Sequence, residues 1–292
     1  MDAIDRMMFY LRLILFTLLT CPLYAEQTSI VLLAEKDSPA LNKLYKNLQT
    51  IAPGYKYSIS TKNSPITVKT DDFVILVGSK VPSYFSVSQH KRSIGVLVTQ
   101  QQALELETQT SIWVEPPLSR QLKLADLVVP GDEKIGLLVT NEKNKAEQLS
   151  KLSSSQKEML KVVNLSDYEN INQALFNVLK GTRLLLGSYD NRIYNAKNIK
   201  NILITSYRQQ KVLIGPSRAY LKAGSFATTF SDLSHVAMRI LDVVNNFQKT
   251  GRWLAADYNP YYRILFNQQV ARSLNIRVMN DKVLKERMRE GS

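Results

Sequence analysis

From Gln27 onward, short apolar runs alternate with amphipathic stretches. "TSIVLLAE" is continuously apolar, as a strand buried on both faces should be. In "SPALNKLYKNLQTI", Ser38 stands as an N-cap and Pro39 at the first helical position. Leu41, Leu44, Tyr45 and Leu48 then fall on one helical stripe. "YKYSIS", "DFVILVGS", "SIGVLVT" and "SIWVEPP" predict further strands, with short helical pieces between them. The second half repeats the rhythm with strands "KIGLLVTN", "LKVVNLS", "TRLLLGS" and "KVLIGP". Helices are predicted over "NKAEQLSKLSSSQ", "YENINQALFNVLKG" and "AKNIKNILITSYRQQ". After the small-residue stretch "SRAYLKAGSFATTFSD" comes a well-specified helix. Asp232 caps it, Leu233, Val236, Ala237, Ile240, Leu241, Val244 and Phe247 form its apolar stripe, and Gly251 ends it.

Alternating apolar strands and helices predict parallel sheets covered on both faces. About ten strands are many for a single sheet, so the expected fold is α/β with two doubly wound, Rossmann-like lobes and a ligand cleft between them. Pro130 and Gly131 in "VVPGDEK" supply turn chemistry for a crossing between the lobes. The expected division is residues 26–131 plus 219–255 for lobe one and 132–218 plus 256–292 for lobe two. "KVLIGP" is expected to end at the cleft, after which the chain crosses back to lobe one.

Ahead of these elements, residues 1–25 resemble a secretory signal: basic Arg12, apolar Leu13 to Cys21, Pro22, then small Ala25. The apolar run is shorter than the roughly 20 residues a membrane-spanning helix takes. The chain is therefore expected in the periplasm, and acylation of Cys21 as a lipoprotein stays open. Cys21 is the sole cysteine, so the mature chain offers no disulfide and no thiol chemistry. The formal net charge of +13 comes from scattered lysines and arginines without a nucleic-acid motif, so no nucleic-acid partner is expected.

Catalytic signals are sparse. His90, in the polar loop "SQHKR", and His235 have no cysteine or carboxylate at ligand spacing, so no metal site is expected. The chain lacks a Walker loop, a "GxGxxG" and a "GxSxG". Glu115 and Asp190 both end strands and are the available pair for acid–base work. The balance favours a binding protein, with no catalytic residue and no cofactor expected.

Three stretches carry a resemblance: "EPPLSRQLKLADLVVPGDEKIGLLVTN" from Glu115, Gly187 to Ala227, and "FNQQVARSLNI" from Phe266. They resemble the extracytoplasmic substrate-binding proteins of ABC transporters with the type I periplasmic-binding fold, in the aromatic amino acid-type branch. The resemblance runs from about Gly78 to Ile276 and is clearest after Trp113. It implies two lobes joined by three crossings, a small organic ligand such as an amino acid, and a membrane permease with its ATPase as partners. A periplasmic sensor or accessory subunit of a membrane receptor is the alternative role. Strand ends then supply the candidate ligand contacts: Gly78, Ser79 and Thr99 from lobe one, and Asn141, Ser188, Asp190 and Ser217 from lobe two, with Tyr220 just after Ser217 a further direct contact. Gly78 is expected to offer a backbone amide and Asp190 to hold an amino group. Tyr84, Trp113, Tyr189 and Tyr220 are candidates for a stacking wall.

Overall fold

In a computed structural model, which describes residues 28–289, the chain forms two six-stranded sheets, each flanked by helices. The signal-peptide and Cys21 readings lie outside the described residues. The first lobe runs β1 (Ser29–Ala34), α1 (Pro39–Ile51), β2 (Lys56–Thr61), β3 (Phe73–Val77), β4 (Ser93–Val98), α2 (Gln100–Glu105) and β5 (Thr110–Trp113). The second begins with α3 (Leu118–Val128), β6 (Lys134–Val139), α4 (Glu142–Leu149), α5 (Ser154–Glu158), β7 (Leu160–Asn164) and α6 (Ile171–Leu179). It continues with β8 (Thr182–Leu186), α7 (Ile199–Arg208), β9 (Leu213–Ile214), α8 (Arg218–Ala223) and β10 (Ala227–Phe230). The chain then returns to the first lobe as α9 (Leu233–Thr250) and β11 (Asp257–Tyr258). It finishes in the second as β12 (Arg263–Phe266), α10 (Gln268–Ser273) and α11 (Asp281–Arg289).

The strand orders are β11-β5-β4-β3-β1-β2 and β12-β10-β9-β8-β6-β7. Every pairing is parallel except β12 against β10. Both sheets therefore wind alike. Each starts in an inner strand, steps to one edge, then reverses past its origin. The reversals fall between β1 and β3 and between β6 and β8. Loops diverge there at the carboxyl ends of the strands and leave room for a ligand.

Local sequence explains the elements. The Ser38 hydroxyl accepts the Leu41 amide at 3.1 Å and starts α1 after an extended residue. Leu41, Leu44 and Leu48 are fully buried against β1 and β3. Asp232 Oδ1 accepts the Ser234 and His235 amides, both at 3.1 Å, and starts α9. Gly251, at φ +69°, closes α9 in the left-handed conformation that glycine adopts without a Cβ penalty. Val236, Ala237, Ile240, Leu241, Val243 and Val244 of α9 enter the core beneath the first sheet.

The crossings differ from the expected ones. Leu122, Leu124, Ala125 and Val128 of α3 bury in the second lobe's core, so the chain changes lobes near Glu115–Pro117, before "VVPGDEK". That segment is a loop between α3 and β6. The chain also stays in the second lobe after "KVLIGP". It turns through α8 and pairs back as β10, with Phe226 and Ala227 buried in the same core. The return to lobe one waits until Ser231–Asp232, and the last crossing follows β11 at residues 259–262. The single helix expected over 144–156 is two, because Ser153 caps a new helix through Gln156. His90 is buried instead of lying in a polar loop; its Nε2 is 2.9 Å from the Asp72 carbonyl oxygen and its ring tilts against Phe85.

The glycines of the small-residue stretch are packing positions. A Cβ on Gly215 would stand 2.6 Å from Ser225 Oγ and 2.8 Å from Tyr220 Cβ. Gly215→Ala is expected to cost about 1–3 kcal/mol in chemical denaturation, the usual penalty for overpacking. Asp232→Ala is expected to cost about 1–2 kcal/mol, a lost N-cap. Burial acts to raise the Asp232 carboxyl's pKa, but the bonds from Ser234 and His235 and the charge of Arg263, 2.9 Å away, outweigh it and hold the pKa below its ordinary value. This stability is therefore present above the unfolded value and is lost as pH falls through the folded one. The wild-type advantage over Asp232→Ala is expected to shrink in acid.

Candidate functional site

Two polar side chains of α3 tie the crossings to the second sheet. Gln121 is buried; its Nε2 donates to the Gly215 carbonyl at 2.8 Å, and its Oε1 accepts the Thr229 amide at 3.0 Å and the Thr229 hydroxyl at 2.8 Å. One amide thus fixes the ends of both β9 and β10. Its neighbour Arg120 donates to the Asn259 carbonyl at 2.9 Å and lies over the Tyr262 ring at 4.1 Å. The first crossing is thereby bound to the third. Neither residue is among the candidates that the sequence suggests for the site. The "RQ" pair inside the resembling stretch is the available signal, and both residues are positioning groups.

The carboxyl ends of β4, β5, β8 and β11 meet at a seam beside these crossings. Glu115 follows β5. Its Oε1 accepts the Gln100 amide at 2.6 Å, at the end of β4, while its buried Oε2 has no partner among the described residues. Burial raises the Glu115 pKa; the backbone amide bonds and the charge of Lys151 offset this only in part. The Glu115 charge in turn helps raise Tyr189, which follows β8, and Tyr258, which ends β11 and is pushed up to about 12, in each case after burial as the larger cause. The seam thus gathers one under-solvated carboxylate and two phenols from both lobes. Tyr189 remains 41% exposed, and Ser217 lies near its hydroxyl. Trp113 packs edge-on against Tyr258 at 4.9 Å. Lys151, from the second lobe, reaches across to both rings and lies 4.0 Å from Asp257.

The sequence candidates divide on this geometry. Ser188 is buried with an unpartnered hydroxyl among the described residues, and Ser217 sits at the start of α8 without capping it. Both adjoin Tyr189 and belong to the seam. Thr99 also stands beside it, but its hydroxyl caps α2 by accepting the Gln102 amide at 3.2 Å. Asn141 likewise caps α4, accepting the Asn144 amide at 3.0 Å. The expectation for Gly78 is corrected: its amide donates to the Val96 carbonyl at 2.9 Å and is not free. Ser79 is exposed beyond β3, with no bond to the seam among the described contacts. Asp190 is buried, but one oxygen accepts the Thr140 hydroxyl and the other the Arg192 amide, so it locks the β6 and β8 loops together. The Tyr220 hydroxyl donates to the Tyr194 carbonyl at 2.6 Å, and its ring packs edge-on against Tyr194. Of the other aromatics, Tyr84 bonds to Ser60 away from the seam. Cavities of about 530 and 420 Å³ lie along the C-terminal segment around Arg277 and Met279 and do not include these strand ends.

No protein-family model matches the sequence, and no curated protein matches it. Solved structures do. The ligand-free, open form of a substrate-binding protein with adhesive properties from Clostridium difficile is 12% identical, with a TM-score of 0.63, over 87% of this chain and 97% of that one. An ABC domain from Streptococcus pneumonia in complex with L-Trp is 17% identical, with a TM-score of 0.51, over 88% and 98%. An arabinose-binding protein from Geobacillus stearothermophilus is 9% identical, with a TM-score of 0.51, over 84% and 99%. At these identities the likeness is one of fold. The chain has the two-lobed α/β architecture of the type I periplasmic-binding fold, as the paired sheets and their three connections require.

Glu115 also sets a pH dependence. A carboxyl whose pKa is raised by folding takes up protons more readily in the folded chain. Its stabilising contribution is complete below the unfolded value, near pH ~4.3, and is lost as pH rises through the raised folded value. Glu115→Gln is expected to escape that loss. Relative to wild type, its stability in urea titrations should rise between about pH 4 and pH 7; an unchanging difference would show the carboxylate to be well solvated.

Proposed function

We propose that this protein is an extracytoplasmic solute-binding protein that holds a small organic ligand at the seam between its lobes and presents it to an ABC-type importer, through a membrane permease and its ATPase. The observation that carries the reading is the convergence of strand ends from both sheets on a corner with unsatisfied polar atoms. Glu115 Oε2, Ser188 Oγ and Asn259 Nδ2 are all buried and unpartnered among the described residues. Unpaired buried polar atoms each cost about 1–3 kcal/mol, and a ligand that pairs them recovers part of that cost. Such a ligand touches both lobes, so it favours the closed arrangement over the open one. The proposed contacts are Glu115, Ser188, Tyr189 and Ser217, with Trp113 and Tyr258 as an aromatic wall. Thr99 and Asn141 shape the adjoining loops, Gly78, Asp190 and Tyr220 keep structural roles, and Ser79 stays outside the proposed contacts. Binding requires no bond-making step and assigns no catalytic residue.

Amino acids belong among the first solutes to test, since the complex with L-Trp shows that a protein of this fold takes one. A thermal-shift panel of amino acids, sugars and small organic ions checks the proposal. A true ligand at about 100 times its Kd is expected to stabilise the chain by about 2.7 kcal/mol. Small-angle scattering should show the same ligand lowering the radius of gyration. A panel with no stabilising solute would favour an accessory role on a membrane receptor instead.

A further inference from the structure

The seam already holds a cation, and it is the chain's own. Lys151 lies in the turn between α4 and α5, yet its Nζ stands 4.4 Å from the centre of the Trp113 ring and 4.8 Å from that of Tyr258. Those rings meet edge-to-face at 86°, forming a corner with two π-surfaces toward one charge. Asp257 Oδ1, 4.0 Å away, adds a negative charge on the same side. Trp113 is held rigidly for this role: it is 8% exposed and its Nε1 donates to Ser111 Oγ at 2.9 Å. The lysine is held loosely, with half of its side chain exposed and its nearest carboxylate oxygen beyond hydrogen-bond distance. Two aromatic faces with nearby carboxylates are chemistry that recognises ammonium groups.

We infer that the Trp113–Tyr258–Glu115 corner is a binding site for a small organic ammonium ion, and that Lys151 occupies the place of the ligand's charged head until the ligand displaces it. This deepens the solute-binding reading and rests on it. Lys151 comes from the second lobe and the rings from the first, so the lysine spans the seam as the ligand would. Its exposure lets it swing into water at little cost, whereas the rings and Glu115 stay in place. The free Glu115 oxygen supplies an acceptor that Lys151 leaves without a hydrogen bond. An ammonium carrying a hydroxyl or an N–H pairs it. Burial raises the Glu115 pKa, and the Lys151 charge offsets it only in part.

Calorimetric titration with choline as the probe tests this in the wild-type protein and in Lys151→Met. The control solute is the neutral analogue of choline in which a tert-butyl group replaces trimethylammonium. Choline is expected to bind both proteins, with Lys151→Met roughly tenfold tighter because the internal competitor is gone. Tyr258→Leu is expected to weaken choline binding by roughly tenfold, and the neutral analogue should bind neither protein at the same concentration. Equal affinity for choline and its analogue overturns the inference, as does an unchanged affinity in Lys151→Met. Absence of choline binding to both proteins overturns it too. If a sugar or another neutral solute then stabilises the chain, the receptor reading survives alone; if no solute does, both fail.

Discussion

The first sheet cannot cover its own face. The side chains that seal the core beneath β1, β3 and β4 include those of α9, a helix encoded after ten of the twelve strands. Everything else in the architecture follows from that debt. The chain must leave the first lobe, build most of the second, come back with α9 and β11, and leave again. Three connections therefore lie side by side at the same edges of the two sheets. They bring Glu115, Tyr189 and Tyr258 within reach of one another, although these residues are far apart in sequence.

The connections are held by buried polar groups. Gln121 satisfies backbone or hydroxyl groups at the ends of β9 and β10 with one side-chain amide, and Arg120 links the first connection to the third. Such groups specify geometry because a misplaced partner leaves a buried donor or acceptor unpaired. Greasy packing alone tolerates small slides between elements, and a fully bonded amide does not. The strand ends beside the connections are thus held in register.

Much of this was legible in the chain. Ser38, Asp232 and Gly251 act within a few residues of themselves, so their capping roles can be read directly. The apolar runs of β1, β3, β6 and β8 are equally plain, and with them the fold class. The crossings were not. "VVPGDEK" has the composition of a connector, yet what decides the matter is which core takes the stripe of α3. The short strands β10, β11 and β12 hide for a similar reason. β10 is "ATTF", held in place by a glutamine more than a hundred positions earlier. Glu115, Trp113 and Tyr189 were recognisable as chemistry at strand ends. Whether a group is already engaged depends on distant partners, and that is why Gly78, Asp190 and Tyr220 looked available when their atoms are spoken for.

The interleaving of the lobes also governs how the molecule comes into being. As the chain leaves the ribosome, the face of the first sheet that α1 begins to cover stays only partly covered until α9 emerges. The second sheet waits in turn for β12 and for Val270, Leu284 and Met288 of the last two helices. Each half thus completes its core only when later segments arrive, so apolar surface stays on offer until the last two helices emerge.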